Sequence, residues 1–137
     1  KVNAKNSEVS YVIDGIEYAA DSLKNGIPDE IATVNMITSP TNAKKSYVII
    51  NTKQKKGQFI SYANGVLKYK YDKQEYTLNP EKLEEPALLI NNRLTRQFNI
   101  DPLQIIQIRP ASELERQLFS APSAQVIIVT DKMGFFF

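Results

Sequence analysis

Chemistry needs side chains that move protons, attack or ligate, and this chain has neither histidine nor cysteine. That removes the commonest general base, every thiol nucleophile and nearly every transition-metal site. Carboxylates remain. Asp29-Glu30 falls at an expected turn and Glu84-Glu85 in an expected linker, positions where like charges face water, so a glycosidase-type pair is a weak reading. Ser112 precedes Glu115 at capping-box spacing, which explains the serine without a nucleophilic role. No glycine-rich phosphate loop opens a helix, and no loop has EF-hand spacing, although scattered Asp and Asn leave an oxygen-only calcium or magnesium site open. The expectation is a non-enzyme with no cofactor and no resident metal. The other candidates are aromatic: Tyr62, Tyr69, Tyr71 and Tyr76 in the middle of the chain, and Phe135, Phe136 and Phe137 at its end. A tyrosine stripe can stack on sugars or bases, yet cross-strand tyrosine pairs more often stabilise a sheet, and that is the favoured reading. Three adjacent phenylalanines invite aggregation when exposed, so the tail is read as a terminal strand or clamp over the second half, or as a dimer contact.

These groups sit on an ordinary globular background. The 137 residues suit one domain, with 42% hydrophobic and 23% charged residues, well away from disordered composition. Seventeen basic against fifteen acidic residues leave a formal charge of +2, too weak a field to imply nucleic acid. Lys53, Lys55 and Lys56 read as a solvated loop. Apolar runs fall short of the ~18–20 residues that span a bilayer. No signal peptide begins the chain, which opens on Lys1, so membrane association is expected only through a trimmed leader or a partner.

The elements that must position these residues read as a duplication. SYVIINTK (46–53) reappears as QVIIVTDK (125–132), IATV (31–34) falls on IIQI (105–108), and YVIDG (11–15) lies over LLINN (88–92). Val/Ile-rich strands can look alike by chance, but three matched runs in one order favour duplication. In each half the first strand ends in a turn at Asp14-Gly15 or Asn91-Asn92, residue types that tolerate positive φ. A short helical or irregular connection is expected next, then a second strand after Pro28 or Pro102, with Ile31, Thr33 and Asn35 on one face and Ala32, Val34 and Met36 on the other. A helix follows, starting at Ser39-Pro40 in one half and at Ser112 in the other, where Leu114, Leu118 and Phe119 share a face. The last strand, apolar at consecutive positions, should be central and covered on both sides. The expected class is α+β: β-α-β-α-β repeats over 1–56 and 87–137, joined by hairpins and a linker over 57–86. Within that connection Asn64-Gly65 is a strong hairpin signal, and Asp72 to Gln74 should turn the chain once more.

The motifs YVIDG, IPDEIATV and YVIINTK, with LLINN, IDPLQIIQI and VIIVTDK, resemble the plug domain of TonB-dependent outer-membrane receptors of the Bacteroidetes type. The resemblance covers nearly the whole chain except the central hairpins and the ends. It differs from that pattern in three ways: no transmembrane barrel fits in this length, TNAKKS and FSAPSA replace the usual glycine-rich stretch, and Asn91-Asn92 replaces Asp-Gly. The resemblance implies two plug-like repeats without a barrel, in the periplasm or at the outer membrane of a bacterial envelope. Similar segments extend membrane-embedded metallopeptidase sensors. The function it implies is interaction or sensing through sheet edges, with an envelope protein or a second copy as partner and no nucleic acid. The alternative is a carbohydrate-binding or small hydrolytic protein that uses the tyrosine-rich hairpins.

Overall fold

A computed structural model of the protein describes residues 8–23, 30–53 and 58–130. Pro28, Asp29, Lys55, Lys56 and the phenylalanine tail lie outside them. The chain divides into two compact units, one drawn from 1–53 with 112–120 and the other from 54–111 with 121–137.

The first unit is a four-stranded sheet. Strands β1 (Glu8–Ile13), β2 (Ile16–Ala19), β3 (Ile31–Thr38) and β4 (Lys45–Thr52) lie in the order β2-β1-β4-β3. β1 runs parallel to β4, while β2 and β3 are antiparallel to their neighbours. The unit also takes α1 (Glu113–Leu118), the one α-helix among the described residues. Leu118, with Leu114 and Phe119, packs on Val12, Tyr47, Ile49 and Ile37, so the apolar side of the helix covers one face of this sheet. Its N-terminus is closed by the expected capping box: Ser112 Oγ accepts from the Glu115 N–H at 3.1 Å, and the Glu115 carboxylate accepts from the Ser112 N–H at 3.0 Å.

The second unit holds two sheets. Strands β8 (Leu88–Ile90), β9 (Arg93–Thr95), β10 (Ile105–Pro110) and β11 (Val126–Thr130) lie in the order β10-β11-β8-β9. Here too the first strand is parallel to the last and the other two pairs are antiparallel, so both four-stranded sheets have one topology. Strands β5 (Phe59–Ala63), β6 (Val66–Tyr71) and β7 (Gln74–Leu78) form an antiparallel meander. Its inner side joins the core of Leu67, Tyr69, Leu88, Phe98, Ile108, Val126 and Ile128.

The expected α+β class with β-α-β-α-β repeats is overturned: the described chain is mostly strand, arranged in three small sheets, with a single short helix. Two local causes account for it. Asp14-Gly15 and Asn91-Asn92 have positive φ at both positions (50° and 85°, 52° and 68°). That is the primed two-residue turn, which folds the chain straight back into β2 or β9, so that only a 3-10 turn, at Ala20–Ser22 or Pro102–Gln104, remains of the expected helical connection. After Ser39-Pro40 the expected helix is replaced by a loop, because local polar groups capture its backbone. Ser39 Oγ accepts from Thr41 and Asn42 N–H, and the Asn42 side chain accepts from Lys44 N–H. Of the two terminal runs, β11 is buried at every residue, whereas Val48 in β4 is only half-buried.

Candidate functional site

The repeated ending has a structural task in each unit. Asp14, at positive φ beyond β1, accepts from the Thr52 N–H at 2.9 Å and from its hydroxyl at 2.6 Å, while the Asp14 N–H donates to the Ile50 carbonyl at 2.9 Å. Asn91 repeats the clasp. Its Oδ1 accepts from the Thr130 N–H at 3.0 Å, its Nδ2 donates to the Thr130 hydroxyl at 3.0 Å, and its N–H donates to the Ile128 carbonyl. The turn residue therefore ties the end of the parallel strand to the start of the hairpin. The threonine is a structural ligand of that turn, which explains why so short a chain carries the motif twice.

The tyrosines are brought together, but into a core. In the meander Leu67, Tyr69 and Tyr71 alternate with Lys68 and Lys70, and the register places Phe59 and Tyr76 beside Tyr69. Tyr69 is 1% exposed and stacks on Tyr76 with centroids 4.9 Å apart. Burial pushes its hydroxyl well above the ordinary phenol range. Tyr62 stacks on Phe98 at 4.6 Å and points its hydroxyl at Glu81, while Tyr71 and Tyr76 pack against the same core. Desolvation, then the Glu81 carboxylate, raises the Tyr62 pKa. Phe135, Phe136 and Phe137 lie outside the described residues. Glu30, Glu84 and Glu85 are exposed, and Ser112 is occupied as a cap. Among the described residues no group of three or more acidic side chains could hold a metal ion, and no helix is long and apolar enough to cross a membrane.

The surface that sequence reasoning missed belongs to the first sheet. Side chains on directly opposed residues share a face. The register therefore aligns Met36, Val48, Tyr11 and Tyr18 in one row, and Val34, Ile50, Ile13 and Ile16 in the next. This face, opposite the helix, carries no charge in either row. Val34 is 56% exposed and Met36 66%; Val9, Ile16 and Tyr18 are also exposed, while Ile13 and Ile50 are buried. The alternation of Val34 and Met36 was legible, but a period of two does not say which face a helix will cover.

No family model, curated protein or solved structure matches this chain.

β3 forms one edge of the same sheet among the described residues. β3 is eight residues long, Ile-Ala-Thr-Val-Asn-Met-Ile-Thr, without charge, proline or glycine. Ser39 N–H donates to the Lys45 carbonyl at 2.8 Å, which sets the phase of the β3–β4 ladder. Bonded and non-bonded pairs alternate along an antiparallel ladder. Ile37 and Asn35 therefore turn their backbone groups toward β4, and Thr38, Met36 and Val34 turn theirs outward. Among the described residues no further strand pairs with β3. Natural edges are usually blunted by charge, proline, bulges or brevity, and of these β3 has only the register shift between Ile31 and Thr33. The opposite edge, β2, is so treated: it has four residues, and Glu17 is bonded to Lys45 at 3.1 Å. That contact lowers the Glu17 pKa and raises that of Lys45.

Proposed function

We propose that this chain is a non-catalytic interaction module that accepts an extended strand on the edge of its first sheet. The observation that carries this reading is β3 itself: a long, uncharged edge whose outward N–H and C=O groups at Val34, Met36 and Thr38 meet no described strand. Strand addition draws affinity from such backbone groups and specificity from alternate side chains. Packing of the four tyrosines into the second unit removes the free ring faces that a sugar platform needs, which favours interaction over carbohydrate binding. The motif resemblance to outer-membrane receptor plugs supports a role in the bacterial envelope, with an envelope protein as partner.

Proline at Val34 tests the edge, because it removes an outward N–H while leaving the β3–β4 ladder its donors. A synthetic peptide of residues 31–38, a neutral alternating strand, serves as probe. Its addition should slow hydrogen exchange at the Val34 and Met36 amides of the intact chain, and Val34→Pro should abolish binding. Unchanged exchange at those two amides would overturn the reading.

A further inference from the structure

The chain has no cysteine, so its only sulfur atoms are the thioethers of Met36 and Met133. Met133 lies outside the described residues. A methionine ordinarily fills irregular gaps in a core. Met36 is instead 66% exposed, and among the exposed large hydrophobic residues only Leu103 is more so. It belongs to β3, where its backbone groups are among those turned outward and its side chain stands between Val34 and Thr38 on one side of the strand. A strand added antiparallel at this edge would set one of its own residues directly opposite Met36 in a bonded pair, with Cα atoms about 5.5 Å apart. Side chains so opposed touch, so the thioether that now faces water would be covered by the incoming strand.

From this we infer that Met36 is an oxidation site through which peroxide controls the β3 edge: the thioether accepts an apolar strand, and the sulfoxide disfavours it. The inference rests on strand addition as the function of β3 and names its regulation. In the step itself a sulfur lone pair attacks one oxygen of hydrogen peroxide, the S–O bond forms as the O–O bond breaks, and the other oxygen leaves as water after proton transfer. Sulfur loses the two electrons that peroxide gains. A dithiol reductant reverses the change, its two thiols becoming a disulfide while the oxygen departs as water. Access follows from the exposure of Met36, and within this chain no thiol competes for the oxidant. The consequence follows from solvation. In the free chain the new S=O group faces water, so the fold tolerates it. Beneath an added strand it loses that water without gaining a donor, because the outward N–H groups of β3 are those that the strand itself engages.

The test uses the full chain with Met133→Leu, so that Met36 is its one oxidisable sulfur. The folded protein is treated with hydrogen peroxide, the peroxide is removed, and peptide mass spectrometry follows the addition of oxygen at Met36. The probe is a labelled peptide of residues 31–38 carrying Met36→Leu, titrated by fluorescence anisotropy. Met36 should oxidise in the folded chain, and its oxidation should weaken peptide binding by about tenfold. Treatment with methionine sulfoxide reductases should restore binding. A Met36→Leu chain should bind like the reduced protein before and after peroxide, and Met36→Gln, polar and of similar length, should bind as weakly as the oxidised one. Urea midpoints of the reduced and oxidised chains should agree. A Met36 that stays reduced under peroxide that oxidises free methionine would overturn the inference, as would equal binding by the two forms or an oxidised chain of lower urea midpoint. Equal binding leaves strand addition standing, whereas a reduced chain that does not bind the peptide overturns strand addition and the inference together.

Discussion

Asp14 and Asn91 show how much one turn residue can hold. Each sits at positive φ, and each satisfies both the amide and the hydroxyl of a threonine 38 or 39 residues away. Removing a partly buried carboxylate that accepts two hydrogen bonds forfeits both of them. Asp14→Ala should therefore destabilise the chain by about 1–3 kcal/mol, visible as a lower urea midpoint with an unchanged slope. Asp14→Asn should recover most of the loss, since Asn91 performs the same task in the second unit. Tyr69 carries a pH prediction. Its folded-state pKa is raised above the unfolded value of 10.0, chiefly by burial, so its contribution to stability is whole below pH 10 and is lost as pH rises from there toward the folded value. Ultraviolet difference titration should show a phenol that ionises only as the protein unfolds at alkaline pH, and Tyr69→Phe should remove that component. The Glu17–Lys45 pair is surface-exposed, and a double-mutant cycle should give it no more than about 1 kcal/mol, falling with added salt. The sign follows from the shifts. Glu17 supports the fold above the ordinary carboxylate pKa and ceases to as pH falls through its lowered value, while Lys45 does so below 10.5 and ceases to as pH rises through its raised value.

At the scale of elements, α1 is the informative piece. The capping box at Ser112 and Glu115 and the apolar trio Leu114, Leu118 and Phe119 follow from side-chain geometry over one or two turns, and both are present as read. What local geometry does not contain is the surface the trio meets. The helix interrupts the run from β10 to β11 of the second unit, yet it packs in the first unit, on Val12, Tyr47 and Ile49. Ser112→Ala should cost about 1 kcal/mol and Leu118→Ala about 2–5 kcal/mol, the larger value because Leu118 is buried and its removal leaves a void against three core side chains. Both should move the denaturation midpoint, and the near-ultraviolet signal of Tyr47 should report the loss.

For the whole molecule, the exchange of that helix means that neither unit is a continuous piece of chain. Residues 1–57 expressed alone carry the first sheet without the segment that covers one of its faces, so Val12, Tyr47 and Ile49 would face water. That fragment should fail to give a dispersed amide spectrum, and adding 112–120 through a flexible linker should restore it. On the side opposite the helix the sheet is exposed only in part: Val34, Met36 and Ile16 face outward, whereas Ile13 and Ile50 are buried.

Pattern alone determined three of the four strands in each half, the order in which they recur, the hairpins at Asn64-Gly65 and Asp72-Lys73, and the cap of α1, because each depends on residues within a few positions of one another. It also contained the tight turns at Asp14-Gly15 and Asn91-Asn92, whose residue types are those of the hairpin turn. Taken only as strand ends, those turns lead to the expectation of a short helical or irregular connection where β2 and β9 lie. Tertiary structure alone decided that the tyrosines close a core, that the helix crosses to the other unit, and that Val34 and Met36 are left in the open. Alternation marks two faces of a strand, but which of them is covered depends on partners distant in sequence, and no local period encodes that distance.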